Sequence, residues 1–127
     1  MKYACLVYLE ESKLRTVPDS ECLASAEGFR KSGILVAGQA LQSIDTAKTV
    51  RIRHGKVSIT DGPFAETKEL LAGFYLLEAR DMAEAVELAS RIPPAREGSI
   101  EVRPVRELDA TDSLDARGTP AATVSAR

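Results

Sequence analysis

The chain is 127 residues long, enough for one domain with a proper core and too short for two. Seventeen basic against 19 acidic side chains give a formal net charge of −2, so nothing draws it to polyanions, and neither nucleic acid nor a membrane surface is an expected partner. The N-terminal run from Met1 to Leu9 turns at once to Glu10-Glu11-Ser12-Lys13, too short for a signal or spanning segment; a cytoplasmic location is expected, with free core thiols at Cys5 and Cys22 rather than a disulfide.

Lys2 to Leu9 alternates and runs apolar with two tyrosines, which predicts a central strand. Pro18-Asp19-Ser20-Glu21 starts a helix in which Cys22, Leu23, Ala26 and Phe29 recur at helical spacing, and Gly33 stops it. Gly28 inside that helix implies either local weakness or a neighbour packed on its backbone. Ile34 to Ala37 is a short apolar strand ending at Gly38, and Gln39 to Lys48 is a polar excursion. Thr49 to Arg53 and Lys56 to Thr60 alternate with period two around His54-Gly55, the pattern of a hairpin with a two-residue turn. Val50, Ile52, Val57 and Ile59 are expected on its buried face, with Arg51 and Arg53 facing the other way. His54, the only histidine, falls in the turn, which argues against a catalytic role.

Thr60 to Gly73 is the densest stretch. Asp61 has a carboxylate able to accept from nearby backbone, Gly62 tolerates positive φ, and Pro63 forbids helix before it, so a stiff corner is predicted. Phe64 is expected to pin this corner to the core and present Asp61, Glu66, Lys68 and Glu69 beyond it. Ala72 to Ala79 reads as a strand. Asp81-x-x-Glu84 opens a helix with the apolar stripe Met82, Ala85, Val86, Ala89 and Ile92, stopped by Pro93-Pro94. Ser99 to Val105 alternates as a last strand whose proline marks an edge or an end. The domain therefore spans 1–107, and 108–127, almost without large apolar residues, is expected to be a disordered tail. The order of elements is α+β, a split βαβ arrangement with an inserted hairpin.

The nine residues Asp61-Gly62-Pro63-Phe64-Ala65-Glu66-Thr67-Lys68-Glu69, preceded by Thr60, resemble the signature of the DGPF-domain branch of the YciI-like (YCII-related) superfamily. Met1-Lys2-Tyr3, Gly38-Gln39-Ala40-Leu41-Gln42, Gly73-Phe74-Tyr75, Arg91-Ile92-Pro93 and Val102-Arg103-Pro104-Val105 extend the resemblance from Met1 to about Val105. It implies a ferredoxin-like fold that dimerises into a dimeric α/β barrel, in a family largely without assigned biochemistry. Other members of the superfamily are thought to use a histidine near the first helix together with an aspartate. Glu21-Cys22-Leu23-Ala24-Ser25 holds no histidine here, so that dyad does not carry over.

In a sheet with both helices on one face, the opposite face must be solvated, liganded or covered by a second subunit. Tyr8, Tyr75, Glu101 and Arg103 are expected there, and a homodimer with a cleft between its sheets follows. Asp61 and Glu66 on the stiff corner are the candidate acid/base pair; the alternative makes them a turn cap and a helix-start residue. Arg103, Tyr75 and Lys68 are the candidate ligand contacts, Arg103 for a carboxylate or phosphate; the alternatives are an Arg103–Glu101 pair across the dimer, a packing tyrosine and a solvated Glu66–Lys68 pair. No Cys/His cluster at metal-ligand spacing or glycine-rich phosphate loop occurs, so no metal or cofactor is expected. Three readings remain: a small enzyme acting on an unknown small molecule in the dimer cleft, a non-catalytic ligand- or protein-binding regulatory module, and a structural dimer.

Overall fold

The computed structural model describes residues 1–111; the expected tail falls largely on residues 112–127, outside the described residues. The elements run β1 (Lys2–Leu9), α1 (Asp19–Lys31), β2 (Leu35–Ala40), β3 (Lys48–Arg53), β4 (Lys56–Asp61), β5 (Leu70–Glu78), α2 (Met82–Ala89) and β6 (Ser99–Pro104), with 3₁₀ turns at Glu11–Lys13, Ile44–Thr46 and Pro93–Arg96. This is the α+β succession expected from periodicity. Four strands form one antiparallel sheet in the order β2-β5-β1-β6, and β3 with β4 forms a separate two-stranded sheet. The sheet is open, not a closed barrel. No helix among the described residues is long and apolar enough to cross a membrane.

The period-two alternation of β1 divides the sheet into two faces. Tyr3, Cys5, Val7 and Leu9 are buried beneath the helices, while Ala4, Leu6 and Tyr8 between them face away. Register carries the division to β5, where Leu77 and Tyr75 lie opposite Tyr3 and Cys5, and Leu76 and Phe74 opposite Ala4 and Leu6. The core comprises the odd residues of β1 with Phe29, Leu77, Ala85, Leu88, Ala89 and Ile92. Burial pushes the Cys5 thiol up to about 11. Cys22 is also raised, by partial burial and then by the charges of Asp19 and Glu21; both thiols are free.

Each helix ends as its sequence requires. At the C-terminus of α1, Gly33 has φ +75°, its N–H donates to the Arg30 carbonyl and the Ile34 N–H donates to the Phe29 carbonyl, a Schellman closure that only glycine adopts without strain. At the N-terminus of α2, Asp81 accepts from the Glu84 N–H at 2.9 Å, and Glu84 accepts from the Arg80 N–H at 2.6 Å. Arg96 clamps the start of α1 to the turn after α2 by donating twice to Glu21, at 2.6 and 2.7 Å, which holds the Glu21 carboxyl below its usual range.

Several expectations fail, most of them where an amphipathic pattern finds no partner among the described residues. Val50, Ile52, Val57 and Ile59 share one face of the hairpin, but each is 62% or 63% exposed, since the two-stranded sheet stands apart from the main one. Phe64 is 74% exposed and does not reach the core. Leu23 faces solvent on α1. On α2, Leu88 is buried while Met82 and Val86 are exposed, because the helix is rotated to put Ala85, Leu88 and Ala89 against the sheet. Tyr75 sits on the helix side, its ring edge-on to Phe29 at 6.4 Å, rather than on the open face. Chain geometry also moves two boundaries: β2 continues to Ala40 and β5 begins at Leu70.

Two glycines test this packing in opposite senses. A Cβ at Gly98 would lie 2.1 Å from the Tyr8 carbonyl oxygen, so Gly98→Ala should destabilise the domain by about 1–3 kcal/mol or more in urea unfolding. A Cβ at Gly28 would meet nothing within 4 Å, so Gly28→Ala should stabilise by about 0.5–1 kcal/mol.

Candidate functional site

The polar face of the hairpin and the corner that follows it border an open surface cleft of about 590 Å³, lined by Thr49, Arg51, Ser58, Thr60, Asp61, Pro63, Phe64 and Glu66. Its wall follows from register. Thr49 pairs with Thr60 and Arg51 with Ser58, so the four polar side chains share the ribbon face opposite the aliphatic one. The ribbon is a two-residue hairpin with His54 at φ 53° and Gly55 at φ 75°, the left-handed pair that matches strand twist.

The corner is held by polar contacts rather than by burial of Phe64. Gly62 adopts φ +97°; its N–H donates to the Ala47 carbonyl at 2.8 Å and its carbonyl accepts from Thr49 Oγ1 at 2.9 Å. Asp61, the last residue of β4, receives Lys48 Nζ at 2.5 Å across the strand pair instead of a backbone N–H. At the far end of the loop, Thr67 Oγ1 donates to the Glu69 carbonyl at 2.5 Å, and Glu69 Oε1 accepts from Ser99 Oγ at 2.7 Å, tying the corner to β6. No helix follows Glu66.

Phe64 has a different task from the anchoring expected of it. The Arg51 guanidinium carbon lies 5.0 Å from the Phe64 ring centroid, a cation–π contact that holds the side chain in the cleft. Arg51 has no ion pair with any acid among the described residues. A stacked guanidinium retains in-plane N–H donors, the geometry suited to a carboxylate or phosphate. The cleft thus combines a pre-oriented cation, three hydroxyls, an aromatic face and two carboxylates, of which Asp61 is engaged by Lys48.

The predicted site residues are separated by the fold. Asp61 and Glu66 line this cleft together; Lys68 is exposed two residues past Glu66. Arg103 and Glu101 lie on the sheet face away from the helices, opposite Ala4 and Leu6, with Arg103 Nε 3.8 Å from Glu101 Oε2. Tyr75 lies beneath α1, where burial, and then the charge of the Cys22 thiolate, raises its hydroxyl pKa. His54 is at the ribbon tip, away from the residues that line the cleft. Sequence reasoning missed Arg51, Thr49, Ser58 and Thr60. Their signal was present in the polar half of the alternation, immediately before Asp61. A second depression of about 400 Å³, between α2 and β6, is lined by Met82, Val86, Ile100 and Val102 among others and converges no charged groups. No grouping of three or more His, Cys, Asp or Glu suited to a metal occurs among the described residues.

Comparison with known proteins bears on the whole of this structure. Residues 1–109 match the family model of the YCII-related domain. The chain is 35% identical over 114 residues to Uncharacterized protein R00369 of Rhizobium meliloti (strain 1021), covering 83% of this chain and 92% of that one.

The corner itself is open to test. Placing a Cβ at Gly62 meets no neighbour within 4 Å, so the effect of Gly62→Ala is backbone strain alone, about 1–3 kcal/mol. Unfolding should show that loss, and exchange of the Gly62-to-Ala47 amide hydrogen should accelerate; wild-type stability would refute the strained corner.

Proposed function

The chain belongs to the YCII-related family, and on that premise we propose that it binds a small anionic molecule in the cleft between the polar face of the hairpin and the Asp61–Glu66 corner. The observation carrying this reading is Arg51, stacked on Phe64 with no acid of its own. Its N–H fork takes the carboxylate or phosphate of the ligand, while the hydroxyls of Ser58 and Thr60 bond the neighbouring polar atoms. Lys68, exposed two residues past Glu66, adds positive charge to the same loop.

A catalytic reading rests on Glu66. Lys48 occupies Asp61, which leaves Glu66 as the cleft carboxylate without an ion pair among the described residues, and so as the group to exchange a proton with a bound substrate. Asp61 then positions the corner rather than acting on substrate. A regulatory binding module would use the same contacts without turnover.

The strand order and the connection of each helix support a ferredoxin-like fold with the hairpin inserted between its second and third strands. Leu6, Leu71, Phe74 and Leu76 on the open face favour pairing of two such sheets into a dimeric α/β barrel, which would bring Arg103 and Glu101 into the interior between subunits.

Calorimetric titration with a panel of small carboxylates and phosphate monoesters tests the cleft. Arg51→Ala should weaken binding about 10- to 100-fold, the value of a charge-assisted pair. Glu66→Gln should bind with little change and, if the cleft is catalytic, lose turnover. Undiminished affinity in Arg51→Ala would overturn the assignment.

A further inference from the structure

The charges around the cleft cancel, and those of opposite sign that remain unpaired line it together. Lys48 holds Asp61, while Arg51 and Glu66 form no ion pair among the described residues, either with each other or with a third group. Both are carried on restrained backbone. Arg51 sits in the ribbon ladder opposite Ser58, with its guanidinium over the Phe64 ring. The loop that carries Glu66 is tied at Gly62 to the Ala47 carbonyl and at Glu69 to the Ser99 hydroxyl.

We propose that the cleft takes a zwitterion of the amino acid class, with Arg51 binding its acid group and Glu66 its protonated amine. The inference rests on the reading of Arg51 as the acid-binding group and adds the other half of the ligand. A ligand that is only an anion gains Arg51 but also meets the Glu66 carboxylate, and no surplus of positive charge offsets the repulsion: Arg51 and Lys48 stand against Asp61 and Glu66. A phosphate, with its larger charge, fares worse. A zwitterion turns the repulsion into a second charge-assisted contact, its ammonium donating to Glu66 while its carboxylate accepts from the Arg51 N–H groups. The hydroxyls of Ser58 and Thr60, on the same wall as Arg51, donate to the remaining lone pairs of that carboxylate. Ligand and lining are then both neutral overall, and selectivity comes from the separation of charge within the ligand.

Glu66 is therefore the residue that selects the amine, whether or not the ligand is turned over. Asp61 is the other carboxylate of the lining, and Lys48 Nζ already lies 2.5 Å from its Oδ1.

NMR titration of the full chain, following the backbone amides of Arg51, Gly62 and Glu66, tests the assignment. The common L-amino acids, β-alanine and γ-aminobutyrate are each compared at neutral pH with the carboxylic acid that lacks the amine. At least one amino acid should bind about tenfold more tightly than its amine-free counterpart, the value of a charge-assisted contact. Glu66→Gln should reduce that preference to about twofold or less, since an amide oxygen accepts from the ammonium without the charge. Glu66 is exposed, and the amide spectrum of the variant verifies the fold. Glu107→Gln, which removes the same charge outside the lining, should keep the wild-type preference. A panel in which no amine improves binding would overturn the inference, as would a preference that survives Glu66→Gln or is lost equally in Glu107→Gln. In each of those cases, carboxylate binding that disappears in Arg51→Ala would leave the anion reading of the cleft standing. Absence of Arg51-dependent binding by any acid or amino acid would overturn both.

Discussion

Both helices cover the same face of a single antiparallel sheet, and that asymmetry governs the rest of the molecule. β1 is one of the two central strands, and its alternate side chains are divided between a sealed core and a face that nothing among the described residues covers. The core side is closed by the aromatic contact of Phe29 with Tyr75, by the small residues of α2 that allow it to approach the sheet, and by the Glu21–Arg96 clamp. The open side keeps leucines, Phe74, Glu101 and Arg103 at the surface. A layer with only one cover has apolar area left for a partner.

The insertion between β2 and β5 resolves into a ribbon with two distinct faces and a corner stiffened by short-range polar contacts. Gly62 at positive φ lets the chain reverse, the Ala47 and Thr49 contacts hold it there, and Lys48 neutralises Asp61. Phe64 stays outside the core and instead orders Arg51. The corner therefore presents a cation rather than a carboxylate pair, which moves the chemical emphasis from Asp61 to Arg51 and Glu66. On the reverse of the ribbon, the aliphatic pairs Val50–Ile59 and Ile52–Val57 are largely exposed.

Membership of the YCII-related family accounts for the succession of elements but leaves the activity to be argued from the site, since the relative from Rhizobium meliloti is itself uncharacterised. The argument from the site is physical. A guanidinium over an aromatic ring is partly ordered before a ligand arrives, by a contact worth about 0.5–1 kcal/mol at an exposed site, so somewhat less binding energy is consumed in ordering it.

By itself the sequence determined the local structure: the strand at Lys2–Leu9, the capped start of α2 at Asp81, the stop at Gly33, the two-residue turn at His54-Gly55 and the left-handed Gly62 all follow from backbone restrictions and side-chain spacing within a few residues. The resemblance carried by Asp61 to Glu69 identified the family for the same reason, being contiguous. What only the tertiary structure decided is which side of each amphipathic pattern is buried. Periodicity states that Val50, Ile52, Val57 and Ile59 share a face, and that Met82 and Val86 share another, but not that any surface comes to meet them. The position of Tyr75 depended on the register of β5 against β1, because a shift of one residue exchanges the two faces of a strand. The cleft likewise required the fold, since Arg51 and Phe64 are brought together only when the hairpin closes and the chain turns back at Gly62.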